Sequence, residues 1–462
     1  MKLSVITDKG ERLSAEELQK EMDCFGRRMP GRSLTFLLCS NTLGSLIGYL
    51  GALEFGIVPI MLDAFKDADS LRMLLRVYRP NYVWAPAILN FAGFTDCVYE
   101  AYGYKLFKYS EEPACLHKDL GLLLTTSGST GSPKLVRLSY ENVRTNADSI
   151  VKYLDIDENE RPITSLPMHY SYGLSVINSH CRKGSTLLLT DKAVIQKEFW
   201  QFCKEQKATS ISGVPYTYEM LKRLNVFSMD LPDLKTMTQA GGKLNASLAK
   251  EYVEKTSGAG KRFYIMYGQT EATARMSYLP VNAAKEKYAS IGVPIPGGKF
   301  AIMDANEKEI IDPDVDGELI YYGANVSLGY AESREDLGKG DENYGCLHTG
   351  DVAHRDRDGY YYITGRMKRF LKLFGNRVNL DAMEQILKAV SLDVACVGVD
   401  DKMSVFITDA AKKDAVKRLL VQKTGINPRA FDVRVIGKIP AKTSGKLDYQ
   451  ALQTALSLEK GK

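Results

Sequence analysis

The stretch LTFLLCSNTLGSLIGYLGALEFGIVPIML, residues 34–62, decides the fold class. Its two ends, LTFLLC and VPIML, are short apolar runs of the kind that form buried strands, and SLIGYLGALEFG between them is typical of a buried helix. Residues 68–85 repeat this order, with ADSLRMLLRVYRP as a helix and YVWA as a strand. Because strands that alternate with helices favour parallel sheets covered by helices, we predict an α/β fold.

The same alternation continues in both directions from this stretch. On the N-terminal side, Ser14 and Glu17 match a capping box at the start of a helix. On the C-terminal side, strands are predicted in LGLLLTT, STLLLT, ATSISGV and KRFYIMYG, with helices between them. We therefore predict a large N-terminal domain of parallel sheets covered by helices.

The sequence changes in character near residue 300. From there to residue 365 it is rich in strand-forming residues and carries turn signals at DPD, DG and RDRDG. Beyond Gly365 the chain has helices and strands of its own, enough for a compact α+β domain of about 100 residues. We predict one domain over residues 1–365, with a β-rich part at about 300–365, and a second over residues 366–462.

Composition excludes several partners. The chain has 462 residues, with 61 Lys and Arg against 56 Asp and Glu, and the net charge of +5 is spread along the sequence, so no nucleic-acid partner is indicated. No uninterrupted apolar run reaches about 18 residues, so no membrane span is expected. The eight cysteines lack metal-ligand spacing and the N-terminus lacks an export pattern. We expect reduced core cysteines and a cytoplasmic protein.

The loop TTSGSTGSPK, residues 125–134, is the first candidate for chemistry. Small residues let backbone N–H groups point into one concavity that can hold phosphate oxygens, and Lys134 adds a positive charge. The Walker pattern is not met, because Gly128 and Gly131 lie too close together and Leu135 follows the lysine. Taken alone, the loop could also be an ordinary glycine-rich connection.

The loop resembles the first signature of the adenylate-forming superfamily, which includes acyl-CoA synthetases, adenylation domains of peptide synthetases and firefly luciferase. Further stretches resemble the other motifs of that family in their order: AGGK at 240–243, MYGQTEAT at 266–273, HTGDVA at 348–353 and PAKTSGKLDYQAL at 440–452. Singly, each has an ordinary structural explanation, such as a turn at TGD or a helix cap at Thr270. Together they cover nearly the whole chain.

The resemblance implies an ATP and Mg²⁺ site. The loop would hold the β- and γ-phosphates, Tyr267 and a glycine pair would hold adenine, Asp351 and Arg366 would hold the ribose, and Glu271 would be the metal ligand. Thr270 would contact the α-phosphate, and Lys446 would stabilise the charge that develops during adenylation. The residues so implied for nucleotide binding are Thr126, Ser127, Gly128, Ser129, Thr130, Gly131, Lys134, Gly241, Gly242, Tyr267, Gly268, Asp351 and Arg366.

The resemblance also implies a mobile C-terminal domain and an acyl pocket. Lys368 would be the hinge and Gly375 would line the thiol tunnel. His169 or Tyr170 would be the gate, with His169 counted among the catalytic residues, although a histidine there could equally be a core residue. The acyl pocket would include Tyr172, Gly173, Gly213 and Tyr216, with Arg275 as a polar contact. Enzymes for α-amino acids carry Asp at the place of Gly173, so an α-amino acid is disfavoured.

The implied activity is that of an ATP-dependent ligase for a carboxylic acid and a thiol. An acyl-adenylate forms with release of pyrophosphate, and the acyl group then passes to CoA with release of AMP. The alternative acceptor is the phosphopantetheine of a separate acyl carrier protein. A non-catalytic nucleotide sensor and a luciferase-like oxygenase are rivals of other classes. The acid is expected to be small or medium in size, and hydroxylated or aromatic.

Overall fold

The computed structural model describes residues 3–89, 94–125, 134–367, 369–374, 376–441 and 447–459. The strands in these ranges are, in chain order, β1 (Ser4–Thr7), β2 (Arg12–Leu13), β3 (Leu34–Cys39), β4 (Val58–Asp63), β5 (Tyr82–Pro86), β6 (Cys97–Ala101), β7 (Tyr104–Lys108), β8 (Leu120–Thr125), β9 (Leu135–Ser139), β10 (Thr186–Leu189), β11 (Ser210–Gly213), β12 (Thr236–Gln239), β13 (Arg262–Tyr267), β14 (Ser277–Tyr278), β15 (Val293–Pro294), β16 (Lys299–Met303), β17 (Gly317–Tyr322), β18 (Gly329–Ala331), β19 (Cys346–Arg355), β20 (Tyr361–Arg366), β21 (Phe370–Leu373), β22 (Asn376–Asn379), β23 (Val394–Val399), β24 (Lys402–Ile407) and β25 (Phe431–Val435). The α-helices are α1 (Ala15–Gly26), α2 (Leu43–Glu54), α3 (Ala68–Tyr78), α4 (Tyr140–Leu154), α5 (Ser171–Lys183), α6 (Lys197–Glu205), α7 (Pro215–Arg223), α8 (Ala246–Gly258), α9 (Ala284–Lys287), α10 (Leu380–Leu387), α11 (Lys413–Thr424) and α12 (Tyr449–Glu459).

The first compact unit comprises residues 1–299 and 321–347. Its largest sheet has the strand order β18-β9-β8-β4-β3-β5-β7-β6. The central strands β8, β4, β3 and β5 run parallel, and antiparallel strands extend the sheet at both edges. The predicted α/β class is confirmed, while the antiparallel edges were not predicted.

Local sequence explains why the central elements form. Strands β3 and β4 are buried along nearly their whole length, as parallel strands covered on both faces require. Helix α2 is also almost wholly buried, and a Cβ at Gly48 would lie only 2.5 Å from the Trp84 ring. The predicted capping box at Ser14 and Glu17 is present at the start of α1.

A second sheet of the first unit, β11-β12-β13-β14-β15, arranges the candidate site. Strands β11, β12 and β13 are parallel neighbours, so their carboxyl ends meet at one edge. Gly213 ends β11, the pair Gly241 and Gly242 follows β12, and Gly268 follows β13. Ligands of open α/β sheets bind at such edges.

The second compact unit comprises residues 300–320 and 348–462. It holds most of the sheet β16-β17-β19-β20, the hairpin β21-β22, the sheet β23-β24-β25 and helices α10 to α12. Most of the β-rich segment at about 300–365 thus belongs to the same compact unit as the C-terminal residues. The sequence had predicted it as part of the N-terminal domain. Mobility of residues 366–462 stays a prediction.

The expectations from composition concern membrane-spanning helices and the burial of the cysteines. No helix within the described ranges has the length and apolar character to cross a membrane. The eight cysteines are unpaired, and Cys39, Cys203 and Cys396 are buried as predicted. The prediction of core positions is wrong for Cys24, Cys97 and Cys115, which are exposed to solvent.

Candidate active site

The loop that follows β13 is folded back tightly on itself. A Cβ at Gly268 would lie 1.7 Å from the carbonyl oxygen of Ala274, so only glycine permits this approach. Thr273 and Ala274 have positive φ angles of 56° and 101°, which are costly for residues with side chains. Backbone strain of this kind persists where the surrounding structure holds it, and here it presents Thr270 and Glu271 beside the sheet edge.

The side chain of Thr270 lies beside the first residue of helix α5. Its hydroxyl and that of Ser171, the first residue of α5, are 3.0 Å apart. The amino end of a helix carries a partial positive charge and N–H groups without partners in the helix. A phosphate oxygen placed there would find both hydroxyl and N–H donors, as the predicted α-phosphate contact of Thr270 needs.

Glu271 is connected to Lys134 through Tyr330. The Tyr330 hydroxyl donates to Glu271 Oε1 at 2.8 Å, and Lys134 Nζ lies 3.7 Å from the centre of the Tyr330 ring. Lys134 is also 3.6 Å from Glu332 Oε1. Burial, and then the charge of Glu271, raises the pKa of the Tyr330 phenol, so it stays a donor. One tyrosine therefore links the predicted metal ligand to the lysine that closes the predicted phosphate loop.

Tyr330 was missed as a site residue, because its segment GELIYYGANVSLGY was counted only as part of the β-rich region at about 300–365. Strand β18 pairs with β9, and Tyr330 lies opposite Val136, two residues after Lys134. A signal existed in the order of the chain: an aromatic residue in a strand that pairs with the one following the phosphate loop. That pairing joins segments about 190 residues apart and could not be deduced from periodicity.

The glycine pair after β12 lies against helices α5 and α7. Gly241 has a φ of 84°, and a Cβ there would come within 2.5 Å of the Tyr170 hydroxyl. Gly242 packs beside Pro215. Tyr267, the predicted adenine contact, ends β13, and its hydroxyl accepts from Gln269 at 3.2 Å. A side chain at Gly241 would collide with Tyr170, so glycine keeps this position narrow, which suits a slot for a flat ring.

His169 stands just before α5 and is largely buried. Its Nε2 is 4.0 Å from Asp63 Oδ2, and its Nδ1 is sealed from solvent with no hydrogen-bond partner among the described residues. Burial lowers the pKa of the imidazole, although the charge of Asp63 opposes the shift. A neutral ring whose Nδ1 makes no hydrogen bond loses little when it changes its rotamer, which is compatible with a gate.

Three of the four predicted acyl-pocket residues are buried. The Tyr172 hydroxyl and Thr238 Oγ1 are 2.8 Å apart, and Thr238 Oγ1 is 2.8 Å from Ser212 Oγ. Gly173 and Gly213 are also buried. Tyr216 differs, because it lies near the start of α7 with 55% of its surface exposed. Tyr216 is not brought together with Tyr172 by any described contact.

Arg275, near these residues, is a charged side chain that is almost completely buried. It is only 2% exposed, and its guanidinium donates to Ser175 Oγ at 3.1 Å and to the Tyr153 hydroxyl at 3.2 Å. The Tyr172 ring lies 4.9 Å below it. No carboxylate of the described residues pairs with it. A cation–π contact contributes about 0.5–2 kcal/mol, whereas burying an ion costs several kcal/mol, so the charge remains poorly compensated.

The predicted ribose ligands lie in the second unit. Asp351 on β19 faces Arg366 on β20, and Arg366 Nε donates to Asp351 Oδ1 at 2.8 Å. Asp351 is buried while Arg366 is largely exposed. The guanidinium thus orients the Asp351 carboxylate. Their role as ribose contacts stays a prediction.

Asp351→Asn should raise the Kd for ATP by roughly 10- to 100-fold, because hydrogen bonds to a charged acceptor are worth about 1.5–3 kcal/mol. Calorimetric titration with ATP and Mg²⁺ measures this. Asp316→Asn is the matched control, since Asp316 is an exposed partner of His354 in the same unit. Equal Kd values for both variants would remove Asp351 from the nucleotide site.

A buried ion pair organises the rest of the second unit. Glu384 on α10 lies 2.7 Å from Arg369 Nη2 and accepts from the Tyr449 hydroxyl at 2.8 Å. The guanidinium lies 3.5 Å from the Tyr449 ring centre.

Several predicted residues fall outside the described ranges: the loop residues Thr126, Ser127, Gly128, Ser129, Thr130 and Gly131, the hinge Lys368, the tunnel residue Gly375 and Lys446.

Comparisons with known proteins show what the whole chain is similar to. A family model described as AMP-binding enzyme matches residues 2–331. A D-alanine–D-alanyl carrier protein ligase of Listeria innocua is 26% identical, with 97% of this chain and 95% of that protein covered. A feruloyl-CoA synthase of an Amycolatopsis species is 28% identical over 71% of this chain and 68% of its own length. The o-succinylbenzoate CoA synthetase of Bacillus subtilis, solved with its acyl-adenylate intermediate, superposes with a TM-score of 0.80 at 18% identity, covering 97% of this chain and 95% of that one.

Proposed function

Because the chain belongs to the AMP-binding enzyme family of adenylate-forming ligases, we propose that it joins a small carboxylic acid to the thiol of CoA at the expense of ATP. The observation that carries the proposal is the connection from Lys134 through Tyr330 to Glu271, with Thr270 next in sequence. A cation, a carboxylate and a hydroxyl so arranged match the needs of a triphosphate that is split between its α- and β-phosphorus atoms.

The first half-reaction activates the acid. A carboxylate is a poor acyl donor, because its leaving group would be an oxide, so its oxygen attacks the α-phosphorus of ATP and pyrophosphate leaves. Thr270 and Ser171 would donate to the α-phosphate oxygens, and Lys134 would offset the charge of the departing pyrophosphate. In the second half-reaction a thiol attacks the acyl carbon and AMP leaves.

Glu271 fits the role of a magnesium ligand. One of its oxygens accepts from Tyr330, and the other has no hydrogen-bond partner among the described residues. No group of three or more His, Cys, Asp or Glu residues in the described ranges could hold a metal by itself. A single carboxylate is what Mg²⁺ takes from the protein when the nucleotide supplies further oxygens. Bound there, Mg²⁺ would neutralise charge on the phosphate oxygens of ATP.

The acceptor thiol belongs to CoA in this proposal. The likeness to a feruloyl-CoA synthase supports CoA, while the likeness to a carrier-protein ligase over 97% of the chain supports a carrier protein as the second candidate. Both acceptors present the same phosphopantetheine thiol.

Gly173 supports a substrate that is not an α-amino acid. It lies in the first turn of α5, and a Cβ added there would lie 2.3 Å from the carbonyl oxygen of Pro167. The aspartate that binds a substrate ammonium in amino-acid enzymes is therefore absent, and the backbone has no room for it. Arg275 nearby would also repel an ammonium group.

Gly173→Asp should lower the free energy of unfolding by roughly 1–3 kcal/mol, the usual cost of overpacking, without creating amino-acid-dependent pyrophosphate release. Urea denaturation and a pyrophosphate assay with D- and L-amino acids measure the two effects. Gly437→Asp is the control, because a Cβ at that exposed position meets nothing within 4 Å. An active amino-acid ligase would contradict the proposed pocket.

Pyrophosphate release by purified protein with ATP, Mg²⁺ and a panel of carboxylic acids tests the function directly. Acid-dependent release that accelerates with CoA, together with an acyl-CoA detected by mass spectrometry, is the expected result. Release that CoA does not accelerate would favour the carrier-protein acceptor. Silence across the panel would overturn the ligase proposal and favour a nucleotide sensor.

A further inference from the structure

The Arg275 guanidinium lacks a counter-charge although the protein buries it. Arginine stays protonated under all ordinary conditions, so burial cannot be relieved by loss of the proton. Its hydrogen-bond partners are two hydroxyls and the Met266 sulfur, all of them neutral. Buried charges in proteins are normally paired or bind a ligand.

The chain offers no described carboxylate to fill this role. Arg275 takes part in no ion pair of the described residues, and the residues outside the described ranges carry no Asp or Glu. The third nitrogen of the guanidinium, Nη2, has no described acceptor and is not among the nitrogen atoms sealed from solvent. Its N–H donors are therefore left for an acceptor outside the described residues.

The position of the guanidinium indicates what kind of acceptor this would be. It lies over the ring of Tyr172 and beside Ser175, both on α5, and it contacts Met266 at the end of β13. Gly173, next to Tyr172, presents no side chain that could block or neutralise it. Tyr172 and Gly173 belong to the proposed acyl pocket, so an anion bound by Arg275 would belong to the acyl part of the substrate.

We propose that Arg275 recognises a second anionic group on the acid, so that the preferred substrates are dicarboxylic acids or acids with an equivalent anion. The inference rests on the proposed ligase function and specifies its substrate class. One carboxylate reacts with ATP, and the other remains ionised and pairs with the guanidinium. An acid with a neutral tail would bury the same apolar surface but leave Arg275 without a counter-charge.

The test compares matched acids in the pyrophosphate assay. Aliphatic dicarboxylic acids of three to six carbons and the benzene dicarboxylic acids are each paired with their monomethyl esters, which keep one reactive carboxylate. The best diacid should have a kcat/KM at least roughly 30-fold above that of its ester, the loss expected when one member of a buried charge pair is removed. Arg275→Met should lose that preference by a similar factor and change the ester by less than about threefold, with Arg275→Lys between the two.

Arg182→Met is the matched control, because Arg182 is a solvent-exposed arginine on α5, the helix that Arg275 contacts, and it pairs with Asp148. It should leave both substrates unchanged. If Arg275→Met fails to fold, as thermal unfolding would reveal, the wild-type preference and the Arg275→Lys variant still decide.

Three outcomes would overturn the inference. Esters that react as well as diacids would leave the ligase function intact and remove the second anion. Equal losses of diacid and ester in Arg275→Met, or a raised KM for ATP, would assign the guanidinium to the reacting carboxylate or the nucleotide. Silence with every acid would overturn the proposed function itself, and this inference with it.

Discussion

Glu271→Gln should lower acid-dependent pyrophosphate release by roughly 10²- to 10³-fold, the usual effect of removing one preorganised electrostatic group from an active site. The amide has nearly the shape of the carboxylate, and its oxygen can still accept from the Tyr330 hydroxyl. What is lost is the negative charge that would hold Mg²⁺ on the oxygens of ATP. The measurement is kcat as a function of Mg²⁺ concentration, and the midpoint should move to higher concentration.

Two further variants separate charge from geometry at this carboxylate. Tyr330→Phe removes the hydroxyl that orients Glu271 and should cost roughly tenfold, the value of one hydrogen bond to a charged group. Glu332→Gln is the control, because Glu332 is an exposed carboxylate 3.6 Å from Lys134. It should change kcat by less than about threefold. Unaltered kinetics and Mg²⁺ dependence in Glu271→Gln would exclude Glu271 from the metal site.

The parts of the fold that local sequence could predict are those that local forces determine. Strands β3 and β4 and helix α2 follow from apolar runs of the right length, and the capping box of α1 from two residues three apart. The antiparallel edges of the large sheet depend on pairings between distant segments, such as β18 with β9. No periodicity within one strand records its partner.

The same limit applies to the candidate site. The residues named from motifs include Glu271 and Lys134, but the tyrosine between them is 59 positions from Glu271 and its contact follows only from the sheet. The isolation of Arg275 is likewise a property of packing, since its partner Tyr153 lies 122 positions away. The exposure of Tyr216 likewise could not be predicted, because a pattern cannot say which face of a short helix is buried.

Lys446→Ala should separate the two half-reactions. We propose that this lysine stabilises the charge on the α-phosphate during adenylation, a charge that does not develop again when a thiol attacks the finished acyl-adenylate. Acid-dependent pyrophosphate release should therefore fall by roughly 10²- to 10³-fold, while thioester formation from a supplied acyl-adenylate should stay within about threefold. Single-turnover assays of each half-reaction measure this.

Lys442→Ala is the matched control for this variant, because Lys442 belongs to the same segment, AKTSGK, and has no proposed contact with the nucleotide. It should preserve both half-reactions. An equal loss of both in Lys446→Ala would contradict a lysine that serves only one of them, and with it the proposal that the C-terminal domain turns at Lys368 between the two steps. A selective loss of adenylation would instead mean that Lys446 acts on ATP and is dispensable afterwards. That result is expected if the C-terminal domain carries Lys446 away from the site after the first half-reaction.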